Sequence, residues 1–309
     1  MSALIEVHGL FKTFDAVQAV AGLSFAVQRG QVYGFLGQNG AGKSTTIRML
    51  LTLIQPTAGS IKLFGFDLKQ HRKQILQQVG AIIEKPDLYL YLTAQQNLKM
   101  MATLSGVQLT RNQVLQHLDR VGIGGRADSL VKTFSQGMKQ RLGIACALVH
   151  DPELIILDEP TNGLDPQGIA DIRNLILRLT HDEGKTVFVS SHLLGEIEVM
   201  ADAMLIIEGG KKVAEGTVSQ LLDPAKTSVT IETPDVAKAA ALVQNGAWGF
   251  QKVTGNTIQL QLHRNAVADL NRYLVENGVA IAALTPRHSL EDYFLSLTAT
   301  NQHGIPVEA

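Results

Sequence analysis

Apolar residues alternate or cluster over 4–8 and 17–27, a pattern that predicts strands. Gln31–Leu36 is a nearly continuous apolar run ending in a glycine-rich turn, as in a strand buried on both faces. From Lys43 to Leu53 the spacing turns helical. Ser60–Phe64 and Val79–Ile83 read as short strands. Residues 93–149 read as mostly helical, with Val114, Leu115, Leu118 and Val121 on one face. Leu154–Leu157 and Val187–Ser190 are further buried strands. Apolar strands alternating with helices predict an α/β fold built on a mainly parallel sheet covered on both sides.

The composition shifts near Leu222-Asp223-Pro224. Beyond it the pattern predicts strand 228–233, helix 235–245, strands 250–254 and 257–262, helix 265–277, strand 279–285 and a last helix 289–298. That βαββαβ order is the split-βαβ, ferredoxin-like arrangement. The expected domains are 1–222, with a helical subdomain over about 93–149, and a small C-terminal α+β domain over 223–309. The tail Asn301–Ala309 is expected to fray.

A length of 309 residues fits about two domains. Hydrophobic residues make up 45% and charged residues 18%, enough for a sizeable core. Lys+Arg is 27 and Asp+Glu is 28, a net charge of -1. That balance argues against a nucleic-acid partner, which selects for a basic excess. The single cysteine, Cys146, has no internal disulfide partner and lies in an apolar helical stretch as core. With no zinc-ligand spacing either, an intracellular protein is expected. The N-terminus lacks the charged-then-apolar order of a signal peptide. No stretch reaches the roughly 20 apolar residues of a membrane span. Action on a membrane is therefore expected to run through a partner.

Gly37-Gln38-Asn39-Gly40-Ala41-Gly42-Lys43-Ser44 fits G-x-x-x-x-G-K-[ST] between a predicted strand and a predicted helix, the context the motif requires. Glycines let successive N–H groups curl toward phosphate oxygens, and the helix start adds partial positive charge. Lys43 is expected on the β- and γ-phosphates and Ser44 on Mg²⁺. Leu154–Leu157 ends in Asp158 and Glu159, at the strand end where α/β folds place ligands. Asp158 is expected to hold Mg²⁺, and Glu159 to polarise the attacking water as general base. His192, after the strand Val187–Ser190, is expected at the γ-phosphate. The run Lys69–Lys73 reads as a solvated helix face.

With these residues in place, the chain resembles the ATP-binding subunit of an ABC transporter. Phe134-Ser135-Gln136-Gly137-Met138-Lys139-Gln140-Arg141 looks like the family's signature, Thr161-Asn162-Gly163-Leu164-Asp165 like its D-loop, and Ser190-Ser191-His192 like its switch-histidine loop. Phe14 falls where the adenine-stacking aromatic sits and Glu84 where the Q-loop glutamine sits. The resemblance covers about residues 4–220. It implies a P-loop NTPase cassette: a mainly parallel sheet with an antiparallel β subdomain and a helical subdomain. The C-terminal block, closing in Ser289–Phe294, is similar to the extension of ABC-2-type exporter ATPases. Glu84, Asn162 and Ser191-His192-Leu193-Leu194 look most like the bacitracin- and lantibiotic-export or immunity branch.

The resemblance also implies site residues: Gly37, Asn39, Gly40, Ala41, Gly42, Lys43, Ser44 and Thr45 on the ATP phosphates, with Glu159 and His192 catalytic. Phe14 stacks on adenine, Asp165 acts in the D-loop, and Ser44, Asp158 and Glu84 hold Mg²⁺. Ser135, Gln136 and Gly137 would act in trans, in a head-to-tail homodimer or a pair with a related ATPase subunit. Integral-membrane permease subunits would read the dimer's motion near Glu84, with Tyr89 and Tyr91 beside the groove. The chain would then sit in the cytoplasm, peripheral on the inner face of the membrane. Three sequence departures bear on this: Glu84 replaces glutamine, Phe14 replaces tyrosine, and the signature carries Phe134, Gln136 and Met138. A soluble ABC ATPase of translation or repair is the competing reading. Only one phosphate loop exists, and Ser135 follows Lys43 by 92 positions with no heptad tract between, which favours the exporter. A P-loop kinase is disfavoured by the signature and D-loop segments.

Overall fold

The computed structural model describes residues 3–222, 227–246 and 248–287. The chain divides into two compact units, 1–216 and 217–309.

In chain order the first unit begins with β1 (Ile5–Phe14), β2 (Val17–Val27), β3 (Val32–Leu36), α1 (Lys43–Leu50), β4 (Ala58–Leu63), β5 (Phe66–Asp67), α2 (Arg72–Leu76) and β6 (Val79–Ile82). It continues with α3 (Ala94–Leu104), α4 (Arg111–Arg120), α5 (Gln136–Ala147), β7 (Leu154–Asp158), α6 (Pro166–His181), β8 (Thr186–Ser191), α7 (Leu194–Glu198), β9 (Ala203–Glu208) and β10 (Lys211–Thr217). A four-stranded antiparallel sheet has the order β2-β1-β4-β5, and a six-stranded sheet has the order β10-β9-β3-β8-β7-β6. Strands β9, β3, β8, β7 and β6 pair in parallel. Every residue of β3, β7 and β8 is buried, which is why these segments read as unbroken apolar runs rather than alternating ones.

An aromatic cluster packs the two sheets' side chains into one core. Phe35 and Phe188 have ring centroids 5.3 Å apart, and Phe25 stacks on Tyr33 at 6.1 Å. Burial and the neighbouring Glu215 carboxylate, which accepts the Tyr33 hydroxyl, push that phenol's pKa far up. Gly34 in β3 is required by close approach: a Cβ there would lie 2.3 Å from Ile197 Cγ2 of α7.

The helical segment is fixed at its ends by side chains. Thr93 and Thr110 close capping boxes with Gln96 and Gln113 at the starts of α3 and α4. Buried Asn97 accepts from Tyr89 N–H and donates to Tyr89 O, pinning the turn before α3.

The division falls after Gly216, and Thr217 opens the next helix, again through a capping box with Gln220. The second unit holds α8 (Val218–Leu221), β11 (Thr227–Glu232), α9 (Val236–Asn245), β12 (Phe250–Thr254), β13 (Thr257–Leu262), α10 (Val267–Glu276) and β14 (Ala283–Arg287). Its sheet order is β12-β13-β11-β14, with every neighbouring pair antiparallel. That is the split-βαβ order. Val229, Ile231, Ile258, Leu260, Val243 and Leu270 are fully buried in its core. The last strand begins at Ala283, four residues later than the pattern predicts. Gly278 at φ +69° and the Val279 N–H to Leu274 O bond spend that stretch on ending α10. The expected helix 289–298 lies outside the described residues. Among the described residues, no helix is long and apolar enough to cross a membrane.

Candidate nucleotide site

Three strand ends meet at the site. β3, β8 and β7 are neighbours, with Leu36 opposite Ser191 and Asp158 opposite Ser190. The residues that follow each strand therefore emerge side by side at the carboxyl edge of the sheet.

The loop after β3 wraps back to α1. Gly42 precedes the helix at φ +103°, and a Cβ there would meet Ala19 O at 2.5 Å, so no other residue fits. No side chain caps α1 and no acidic residue occupies its first turn. Its first N–H groups are thus left for an anion. Ser44 and Thr45 lie half-buried in that turn, while Asn39 and Gly40 are exposed and Gly37 and Ala41 are buried.

Lys43 is 5% exposed. Its Nζ donates to Gly37 O at 2.5 Å and to Gln38 O at 3.3 Å, and lies 3.1 Å from Glu159 Oε1. Glu159 Oε2 lies 2.6 Å from His192 Nδ1. Lys43, Glu159 and His192, from three separate segments, are thereby brought together. Ser190, the first residue of the Ser190-Ser191-His192 segment, joins the set. Its hydroxyl donates to Asp158 Oδ1 at 2.5 Å and accepts from Glu159 N–H at 2.9 Å. Asp158 is 1% exposed and its other oxygen, Oδ2, has no hydrogen-bond partner. A buried, orphaned carboxylate oxygen is the donor a hard cation such as Mg²⁺ takes.

The other candidates stand apart from this cluster. The Glu84 carboxylate is paired with Arg48 of α1 at 2.6 Å, and its backbone has φ +60°. Phe14 is half-exposed at the end of β1, with the Lys12 ammonium 4.8 Å over its ring. Ser135 caps α5, its Oγ accepting Met138 N–H at 3.3 Å; Gln136 is exposed, and a Cβ on Gly137 would meet open space. Asp165 caps α6, accepting Gly168 N–H at 3.0 Å. None of Ser135, Gln136, Gly137 and Asp165 bonds to Lys43, Glu159 or His192 within the described residues. Two contacts carry no sequence signal beyond a polar residue near the site: Arg48–Glu84 and Thr161–Glu196.

A glycine-rich loop opening a helix, a buried lysine and strand-end carboxylates define a P-loop nucleotide triphosphatase. Residues 20–162 match the ABC transporter family model. The chain is 42% identical over 300 residues to the bacitracin transport ATP-binding protein BcrA of Bacillus licheniformis, covering 96% of this chain and 98% of that protein. It is 41% identical over 212 residues to the lantibiotic transport ATP-binding protein SrtF of Streptococcus pyogenes, covering 69% and 90%. Among solved structures, cbiO1 of Clostridium perfringens, part of an ABC transporter complex, superposes with a TM-score of 0.65 at 25% identity, covering 72% of this chain and 91% of that one. The chain belongs to the ABC transporter ATP-binding protein family, and it binds and hydrolyses ATP. ATPases of this family work as dimers with membrane permease partners.

Proposed function

We propose that this chain powers an ABC-2-type exporter of a peptide antibiotic of the bacitracin or lantibiotic kind. The observation that carries the cargo class is the likeness to BcrA over 96% of the chain, which extends beyond the cassette through the second unit.

The contact between Lys43, Glu159 and His192 supports the chemistry. The free N–H groups of α1 and the loop after β3 cradle the phosphates, with Lys43 on the β- and γ-oxygens. Phe14 offers its ring to adenine. Ser44 and Asp158 Oδ2 would hold Mg²⁺, which when bound neutralises developing phosphate charge. Glu84 already spends one carboxylate oxygen on Arg48, which would share it with the ion. Glu159 accepts the proton of the attacking water, and His192 holds that carboxylate and faces the γ-phosphate.

Exposed Ser135 and Gln136, with half-buried Gly137, at the start of α5, and Asp165 before α6, supply the contacts that a second ATPase subunit needs to close on ATP. Loss of the γ-phosphate removes those contacts and favours opening, a shift driven by differential binding. Permease subunits read that motion near Glu84, and the chain works at the inner face of the membrane through them. The partner is the same chain or a related one.

The test is purification of the tagged chain from detergent-solubilised host membranes, with co-purifying proteins identified by mass spectrometry. A stoichiometric multi-span protein is expected, and deleting its gene together with this one should sensitise the host to bacitracin-like peptides. A wholly soluble partner set with ATPase activity intact would instead point to a soluble ABC ATPase.

A further inference from the structure

Glu159 sits at φ +50°, in the left-handed region that favours glycine. Pro160 follows, and a proline further restricts the residue before it. Such a conformation persists only where its surroundings fix it from several sides. Glu159 N–H is held by Ser190 Oγ at 2.9 Å, its carbonyl accepts Asn162 N–H at 3.1 Å, and its carboxylate is held by Lys43 and His192. One further bond ties down the turn. Thr161 Oγ1 donates to Glu196 Oε2 at 2.5 Å.

Thr161 is buried and Glu196 half-buried, so the bond is shielded from competing water. A charged acceptor makes it stronger than a neutral pair. Glu196 lies on α7, which begins just after His192-Leu193. The next residue, Ile197, is fully buried and packs on the bare Cα of Gly34 in β3. The helix is thus seated on the sheet, and Glu196 is a fixed anchor. The bond joins the segment after β7, which carries Glu159, to the segment after β8, which carries His192.

We propose that Glu196 is a positioning residue for hydrolysis. Through Thr161 it sets the Glu159-Pro160-Thr161 turn against the His192 segment, so that the Glu159 carboxylate keeps its aim. The proposal rests on the reading of Glu159 as general base.

The test compares steady-state MgATP hydrolysis by the full chain with Glu196→Ala, Glu196→Gln and Thr161→Val. Glu196→Ala and Thr161→Val should each lower kcat about ten-fold, with KM for ATP within about two-fold of wild type. Glu196→Gln keeps an oxygen that accepts from Thr161, so its kcat should stay within about two-fold. The double variant Glu196→Ala/Thr161→Val should be no slower than the slower single variant, because both remove one bond. Amide hydrogen exchange over residues 159–164 should speed up in Glu196→Ala and not in Glu196→Gln. Wild-type kcat in Glu196→Ala, or equal loss in the alanine and glutamine variants, overturns the proposal. Glu159→Gln in the same assay separates the two claims. Normal turnover there removes the general base, while the exchange data still decide whether Glu196 holds the turn.

Discussion

The Lys43 ammonium lies 3.1 Å from Glu159 Oε1, and both side chains are largely buried. The other Glu159 oxygen is 2.6 Å from His192. One carboxylate is thus shared between two partners, and a buried charge of this kind is stable only while paired. In the proposed site an arriving γ-phosphate would compete with Glu159 for Lys43. With Lys43 turned to the phosphate, Glu159 would be left with His192 and one oxygen would be free to accept a proton, the role proposed for it.

Lys43→Ala should therefore weaken ATP binding more than about ten-fold, since a charge-assisted phosphate contact is lost. Titration calorimetry of the purified chain reads this directly. Unchanged affinity would take Lys43 out of the site.

Gly42→Ala should destabilise the first unit. The added methyl would press on Ala19 O, and φ +103° strains any side chain. A loss of about 1–3 kcal/mol is expected from denaturant unfolding. A variant as stable as wild type would contradict the loop geometry.

Cys146 should be inert in the folded chain. Burial pushes its thiol up to about 12, so almost no thiolate exists at pH 8. A thiol reagent should label it slowly in buffer and rapidly in denaturant. Fast native labelling would show that α5 is not packed as described.

Acid should weaken the first unit partly through Asp151. A hydrogen bond from Lys185 holds its carboxyl below the usual range, against an opposing push from burial. A depressed folded pKa stabilises above the unfolded value and is lost as pH falls through the folded one. Lys185→Gln should therefore narrow the stability difference between about pH 6 and pH 3. Denaturation midpoints at the two pH values check it, and an unchanged difference would remove the pair from the acid response.

Much of this architecture is legible in the chain because its signals are local. The runs Val32–Leu36 and Leu154–Asp158 are buried along their full length, and the loop from Gly37 to Ser44 combines spacing with strand and helix context. Strands β11 and β13 of the second unit are legible too, because each sends every other residue to one core. The rest depends on pairings between distant residues. Thr161 meets Glu196 across 35 positions, and Ser190 bridges Asp158 across 32. No spacing rule announces either bond. Glu84 is visible as a departure from the family pattern, yet its partner Arg48, 36 positions earlier, is chosen only by the tertiary fold. β5, of two residues, is too short to show a period.

Glu159 is proposed to take the proton from water at a site that Lys43 and the α1 start build for ATP. The most direct test of this role is hydrolysis of MgATP by wild type and Glu159→Gln, with nucleotide affinity measured on both. Matched affinity and a turnover loss of about 100-fold or more are expected, because an amide cannot accept the proton. Equal turnover by the two proteins would contradict it.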